Sequence, residues 1–193
     1  RERVLTDEEL TGLWEVLEAI RTGTRPTPPI SSMLARGLQL MLRTAQRGGE
    51  VFTMEWGDVD EANGWWTIPS EKTKNGTTHR VPLTQPALAL IAEARADGSG
   101  PDGLVFAGLE GRTLEWQAKK AVSKLRHAGL AGDYTRHDLR RTVATGMTKL
   151  GVARATVAQV LNQQEGGPRA TEVSDRYNYD PEKRTALDKW GRH

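Results

Sequence analysis

The 193-residue sequence contains no cysteine, which excludes a disulfide framework, a thiolate metal site and a cysteine nucleophile. It has no apolar run near the roughly 20 residues that a membrane-spanning helix needs, and no charged-then-apolar leader at its start. Neither sign of charge is in large excess, because 27 lysines and arginines stand against 25 acidic residues. We therefore expect one soluble, cytoplasmic domain of ordinary size, and the initial Arg1 favours a piece of a longer protein.

The balanced total conceals a basic segment between residues 117 and 154, where nine lysines and arginines are accompanied by two acids. The nine are Lys119, Lys120, Lys124, Arg126, Arg136, Arg140, Arg141, Lys149 and Arg154. Such a block in a nearly neutral chain favours a surface for a polyanion, of which nucleic acid is the commonest. A solvated helix face is the alternative interpretation.

Hydrophobic spacing and turn residues predict a mainly helical α+β domain with one small antiparallel sheet. A capping box at Thr6–Glu9 opens the first helix. Further helices are predicted at Ile30–Arg43, Glu50–Met54, Pro86–Ala96, 114–128, 136–150, 153–161, 169–178 and 181–190. Strands are predicted at Trp65–Ile68, His79–Leu83 and Leu104–Phe106, with the Asn75-Gly76 pair marking a hairpin between the first two.

Three segments that are far apart in the sequence each carry a cation with neighbours that would fix its position. Arg47 lies at a break between two predicted helices, where Glu50 can hold it by a charge-assisted hydrogen bond. Lys74 precedes the hairpin turn, and a lysine on a mobile arm can deliver a proton. His137 and Arg140 are three residues apart at a predicted helix start, so they share one face beside N–H groups that favour an anion.

Each of these signals also has an ordinary structural interpretation. Arg47 can be a surface arginine, Lys74 can be merely solvated, and His137 can cap a helix while Arg140 forms a salt bridge. A fourth segment, residues 171–180, follows the Gly-Gly-Pro loop and is rich in hydroxyl groups and charge.

In this order and spacing, the four segments resemble the catalytic domain of the tyrosine recombinases, also called the phage integrase family. The resemblance covers nearly the whole chain, from Val4 to Trp190, so we expect residues 1–193 to form this one domain. Five side chains match family positions: Arg47 the first arginine, Glu50 the acid after it, Lys74 the hairpin lysine, and His137 and Arg140 the His-x-x-Arg motif. The resemblance covers only the catalytic domain, so we expect residues 1–193 not to include the family's N-terminal DNA-clamping domain.

The resemblance implies site-specific recombination of a mobile element through a covalent 3′-phosphotyrosine, without a metal or other cofactor. Arg47 and Arg140 would bind the non-bridging phosphate oxygens, His137 would move the proton of the nucleophile, and Lys74 would protonate the leaving 5′-oxygen. The implied partners are double-stranded DNA and further copies of the chain in a tetramer. The implied location is the nucleoid of a bacterial cell, with no membrane partner.

Two positions depart from the family pattern. Gln163, in Leu161-Asn162-Gln163, occupies the place of the family's second histidine, and its amide can still donate to a phosphate. Ser174 stands where the nucleophilic tyrosine is expected, which predicts retained DNA binding without cleavage. Tyr177 is the alternative nucleophile, although the register disfavours it.

Two other functions fit parts of the pattern. A non-catalytic DNA-binding protein that kept the recombinase fold would also carry Ser174 in place of a tyrosine. A type IB topoisomerase shares the chemistry, but the short length and the C-terminal Arg-Tyr-x-Tyr-Asp pattern disfavour it. The final helix, at 181–190, is expected to dock through Leu187 and Trp190, either on its own domain or on a neighbouring protomer.

Overall fold

Eight α-helices and three short strands form the part of the chain that the computed structural model describes, which comprises residues 3–98, 103–106, 114–163 and 177–193. The helices are α1 Asp7–Arg21, α2 Ser32–Thr44, α3 Gly48–Phe52, α4 Gln85–Ala96, α5 Leu114–His127, α6 Arg136–Lys149, α7 Arg154–Val160 and α8 Asp180–Gly191. The strands are β1 Val59–Asp60, β2 Trp65–Ile68 and β3 His79–Pro82. This mainly helical architecture with a small antiparallel sheet confirms the predicted fold class.

The first helix begins as its sequence predicts. The Thr6 side chain accepts a hydrogen bond from the Glu9 amide, and the Glu9 carboxylate accepts one from the Thr6 amide. This reciprocal pair satisfies two backbone donors that have no partner inside the helix. The apolar face of α1 then buries Leu13, Leu17 and Ile20 against α2.

Helix α2 lies at the centre of the core and touches α1, α3, α4, α5, α6 and α8. Ten of its 13 residues are buried, including polar ones. Arg36 is satisfied by Asp97, with 2.5 Å between Nη1 and Oδ2, and by Glu93. A helix surrounded in this way fixes the positions of the segments that leave its two ends.

The sheet has the strand order β1-β2-β3, and both pairs are antiparallel. Trp66 faces Val81, and Ile68 faces His79 across the second pair. Residues 69–78 connect β2 to β3 through a 3₁₀ turn at Ser70–Lys72, and Gly76 takes the left-handed conformation (φ +68°) that an Asn-Gly pair favours.

The prediction of a strand at Leu104–Phe106 is wrong. Leu104 forms only an isolated bridge with Glu55, and the third strand of the sheet is Val59–Asp60. Val105 and Phe106 are completely buried, so this apolar run fills the core and pairs with no strand of the sheet. The helix predicted at 169–178 lies mostly outside the described residues.

The final helix packs on its own domain. Leu187 and Trp190 are buried, and the Trp190 indole nitrogen donates to the Leu42 carbonyl at 2.7 Å. The Trp190 ring also covers Gly146 on α6 so closely that a Cβ there would lie 2.3 Å from it. These contacts confirm the two predicted anchors and show where they dock within the chain.

We expect Gly146→Ala to lower the free energy of unfolding by about 1–3 kcal/mol, because the new methyl group would displace the Trp190 ring. Chemical denaturation of the purified chain measures this change. Gly12→Ala in α1 is the matched control, since a Cβ there meets nothing within 4 Å. The control should be neutral or stabilising by up to about 1 kcal/mol, and equal effects of the two changes would contradict the packing described.

Candidate active site

Arg47 lies between α2 and α3 and is held by one carboxylate. Glu50 is buried, with 4% of its side chain exposed. One of its oxygens accepts from the Arg47 amide and the other from Nη1, each at 2.8 Å. Glu50 therefore fixes the position of Arg47, as the spacing of the two residues predicts. About 30% of the Arg47 side chain stays exposed to solvent.

Arg140 on α6 is held differently. It is 4% exposed, and its Nη1 donates to the Ala45 carbonyl at 2.6 Å while Nη2 donates to the Leu161 carbonyl. Within the described residues it forms no ion pair. Burial lowers the pKa of Arg140 to about 10, the charge of Arg47 adds to this and Glu50 opposes it. The side chain remains protonated at neutral pH, so its charge is buried but not neutralised.

His137 stands one turn before Arg140, at the start of α6. Thr135 and Asp138 form the capping box of this helix. Partial burial, together with the charges of Arg141 and Arg140, lowers the pKa of His137. The exposed imidazole is thus neutral at pH 7 and able to accept a proton.

A cleft of about 540 Å³ adjoins His137 and Arg140. Its walls include His137 and Arg140 from α6, Leu161 and Gln163 from the end of α7, and Arg3 from the N-terminal segment. Gln163 is exposed there, so the structure places this predicted residue beside the His-x-x-Arg pair.

The two lysines of the β2–β3 connection have different surroundings. Lys72 donates to Glu55 at 2.7 Å and to Asp58 at 2.9 Å, which makes it a structural cation. Lys74 is exposed and makes no hydrogen bond or ion pair with the described residues. Its neighbour Asn75 exchanges two amide hydrogen bonds with Asn162, at 2.9 and 3.2 Å. The connection that carries Lys74 is therefore attached next to Gln163.

Three consecutive residues at the end of α7 connect all of these segments. The Val160 carbonyl accepts from the Gln46 side chain at 2.9 Å and from His79 Nε2 at 3.1 Å. The Leu161 carbonyl accepts from Arg140, and Asn162 pairs with Asn75. Sequence reasoning missed Gln46, His79 and Asn162. The only available signal was that Gln46 adjoins Arg47 and that His79 follows the hairpin.

Ser174, the predicted nucleophile position, lies outside the described residues. Tyr177 is 53% exposed just before α8, and its hydroxyl donates to Glu182 at 3.1 Å. Desolvation and the Glu182 carboxylate raise the pKa of Tyr177, which disfavours its phenolate. The residues that line the cleft do not include it.

The basic segment at 117–154 is only partly a free surface. Arg140 is buried, Arg126 pairs with Asp133 at 2.5 Å, and Lys119 lies 3.3 Å from Glu115. A second cleft, of about 390 Å³, adjoins His137 and is lined by Lys119, Arg126 and Arg136 among others. The two clefts share His137, so they lie side by side on the surface of the molecule.

Residues 3–166 match the family model described as the phage integrase family. The chain belongs to the phage integrase family. Among curated relatives, the prophage integrase IntA of Escherichia coli is 28% identical over 123 residues, which are 62% of this chain and 30% of that protein. The chain spans less than half of the curated relatives it matches, at 30% and 45% of their lengths.

Solved integrases share the fold of this family member. The integrase from mycobacterium phage Brujita aligns with a TM-score of 0.69 at 17% identity, covering 98% of this chain and 58% of that one. The lambda integrase catalytic core aligns with a TM-score of 0.61 at 20% identity, covering 87% of this chain and 96% of the core.

No described helix is both long and apolar enough to cross a membrane. No group of three or more His, Asp or Glu side chains in the described ranges is arranged to hold a metal ion.

The buried His79 imidazole should make the stability of the fold depend on pH. Burial, reinforced by the charges of Lys183 and Arg140, lowers the pKa of His79 to about 4. The unfolded chain has the ordinary value near 6.5 and binds the proton more readily. Stability should therefore fall as the pH drops from about 6.5 towards 4, with about 2–3 kcal/mol of the loss arising from His79.

Denaturant unfolding at pH 7 and at pH 4.5 measures this loss, and His79→Gln should reduce it by about that amount. His127→Gln is the control, because His127 is exposed on α5. An unchanged pH dependence in His79→Gln would contradict the buried, neutral state of His79.

Proposed function

We propose that this chain is the catalytic domain of a site-specific recombinase that binds double-stranded DNA at a recombination site of a mobile element. The observation that carries the proposal is the cleft in which Arg140, His137 and Gln163 meet, beside Arg47 and the Lys74 connection. A cleft lined by a fixed guanidinium and a neutral imidazole, with the charge of Arg47 close by, suits a phosphodiester, whose negative charge grows in the transition state. Family membership supports the same conclusion.

The proposed reaction proceeds in two balanced transfers. A tyrosine oxygen attacks the phosphorus, the bond from phosphorus to the 5′-oxygen breaks, and Lys74 protonates that oxygen. His137 takes the proton of the phenol, and Arg47 and Arg140 neutralise the charge on the non-bridging oxygens. A 5′-hydroxyl of another strand then attacks the phosphotyrosine and releases the tyrosine. The energy of the phosphodiester is conserved, so no cofactor enters the proposed reaction.

In the proposed alignment, Ser174 replaces the nucleophilic tyrosine and leaves this chain unable to start the reaction. The serine side chain lacks the phenyl ring of tyrosine, so its oxygen lies closer to the backbone and does not reach the phosphorus. A serine alkoxide is also much harder to form than a tyrosine phenolate. We therefore propose that the chain binds DNA but does not cleave it. A non-catalytic DNA-binding role is the second candidate, and it is favoured by the same residue.

Relatives support the proposed partners. Solved neighbours include XerH bound to its difH substrate and a lambda integrase tetramer bound to a Holliday junction. By analogy we propose that this chain acts as a tetramer on DNA in the bacterial nucleoid. Binding should depend strongly on salt, because most contacts of such a protein are with phosphates.

A nicked suicide substrate, which traps the covalent intermediate, tests the nucleophile. The chain with Ser174 should give no protein–DNA adduct on a denaturing gel, and Ser174→Tyr should give one. Ser174→Phe is the control, since it restores the ring without the hydroxyl. An adduct formed by the serine chain would contradict the assignment, and DNA binding without an adduct in Ser174→Tyr would favour the non-catalytic role.

A change of leaving group in the DNA substrate tests whether Lys74 is the general acid. In the Ser174→Tyr background, Lys74→Ala should slow adduct formation by about 10²–10⁴-fold, because the 5′-oxygen would leave without a proton. A substrate with sulfur in place of that oxygen should recover most of the rate, since a thiolate leaves unprotonated at neutral pH. Lys72→Ala is the matched control and should not show this recovery. Failure of sulfur to rescue Lys74→Ala would remove Lys74 from the role of acid.

A further inference from the structure

Two buried side chains that the proposed chemistry does not use meet at one backbone oxygen. Gln46 has no exposed surface and His79 is 6% exposed. Both donate to the Val160 carbonyl, from distances of 2.9 and 3.1 Å. The oxygen therefore has a donor for each of its two lone pairs. Gln46 also donates to the Thr44 carbonyl at 2.8 Å, so its amide joins the end of α2 to the end of α7.

The ring of His79 is restricted to one tautomer in this arrangement. A carbonyl oxygen can only accept, so Nε2 must carry the hydrogen. The neutral ring fits its surroundings, because Lys183, Arg140 and Arg47 are the charged groups that act on it. A positive charge on the ring would be unfavourable beside these three cations.

The position of the Val160 carbonyl bears directly on Arg140. The guanidinium is held between the carbonyls of Ala45 and Leu161. Ala45 directly precedes Gln46 in the chain, and Leu161 directly follows Val160. The hydrogen bond from Gln46 to the Val160 carbonyl therefore connects the segment after α2 with the end of α7, and the carbonyls of these two segments accept from Arg140.

We propose that Gln46 and His79 are positioning residues that fix the Val160 carbonyl and so hold the Ala45 and Leu161 carbonyls at the spacing that presents the Arg140 guanidinium to the cleft. The effect on catalysis rests on the proposed function, whereas the effect on the guanidinium does not. A residue that serves only the stability of the core would leave the state of Arg140 unchanged in the folded protein. The two roles can thus be separated.

Four variants of the present chain are suitable. Gln46→Met and His79→Phe keep most of the volume but remove the donor. His79→Gln restores a donor of similar reach. Gln39→Met is the matched control, because Gln39 is an equally buried glutamine of α2 whose amide donates to Glu18 at 2.9 Å and not to α7.

Side-chain NMR of arginine reports the positioning directly. Two carbonyl bonds hinder rotation of the Arg140 guanidinium, so its Nη1 and Nη2 protons should give separate resonances in the unchanged chain. We expect Gln46→Met and His79→Phe to average these resonances, and His79→Gln and Gln39→Met to leave them separate. Separate resonances in both donor-less variants would overturn the proposal.

Amide hydrogen exchange checks that the change is local. The Leu161 and Gln163 amides donate to Val157 and Ala158 at 3.0 and 2.9 Å, so they report on the end of α7. Their exchange should become at least tenfold faster in Gln46→Met and His79→Phe, while α4 is unaffected. An equal acceleration throughout the molecule would show a merely structural role and overturn the proposal.

Adduct formation in the Ser174→Tyr background supplies the catalytic readout. At saturating DNA, the rate should fall tenfold or more in Gln46→Met and His79→Phe and recover in His79→Gln. Rates equal to those of Ser174→Tyr alone would overturn the proposed effect on catalysis. If Ser174→Tyr itself forms no adduct, the proposed function has failed, and the NMR comparison still decides whether these residues position Arg140.

Discussion

The Arg140 guanidinium is a buried cation whose described partners are backbone carbonyls. Removing a charge from water is unfavourable, and hydrogen bonds to two carbonyl dipoles offset only part of this desolvation free energy. The fall of its pKa to about 10 expresses this cost, yet the group stays charged. An anion in the adjoining cleft would supply the missing compensation. Arg140 thus brings an uncompensated positive charge to the wall of the cleft, and the carbonyls of Ala45 and Leu161 hold it there.

The two arginines of the site are fixed by different means. Glu50 neutralises Arg47 as it positions it, because the same carboxylate accepts from the amide and from the guanidinium. Arg140 is positioned by neutral groups and keeps its full charge. The pair thus has one acid for two guanidiniums, which leaves excess positive charge beside a neutral His137. Under the proposed function, this excess charge would stabilise a phosphate more strongly as its negative charge increases during the reaction.

Much of the fold follows from local sequence. The capping box at Thr6 and Glu9 begins α1, and the alternation at Trp65–Ile68 gives a strand with the predicted bounds. The Glu50 contact follows from its spacing to Arg47, because residues three apart on one helical turn are neighbours. The strand predicted at Leu104–Phe106 was wrong, since a short apolar run can enter the core as readily as it can join a sheet.

Residue identity and spacing were thus sufficient to propose Arg47, His137 and Arg140 as site residues, and the structure places His137 and Arg140 in the wall of one cleft. Tertiary structure alone decided how they are held. The acceptors of Arg140, Gln46 and His79 are backbone carbonyls. Every residue has a backbone carbonyl, so the side-chain sequence does not indicate which carbonyl will accept a given hydrogen bond. Tertiary structure also decided the different surroundings of Lys72 and Lys74. The two carboxylates that bind Lys72 lie more than ten positions away from it in the chain.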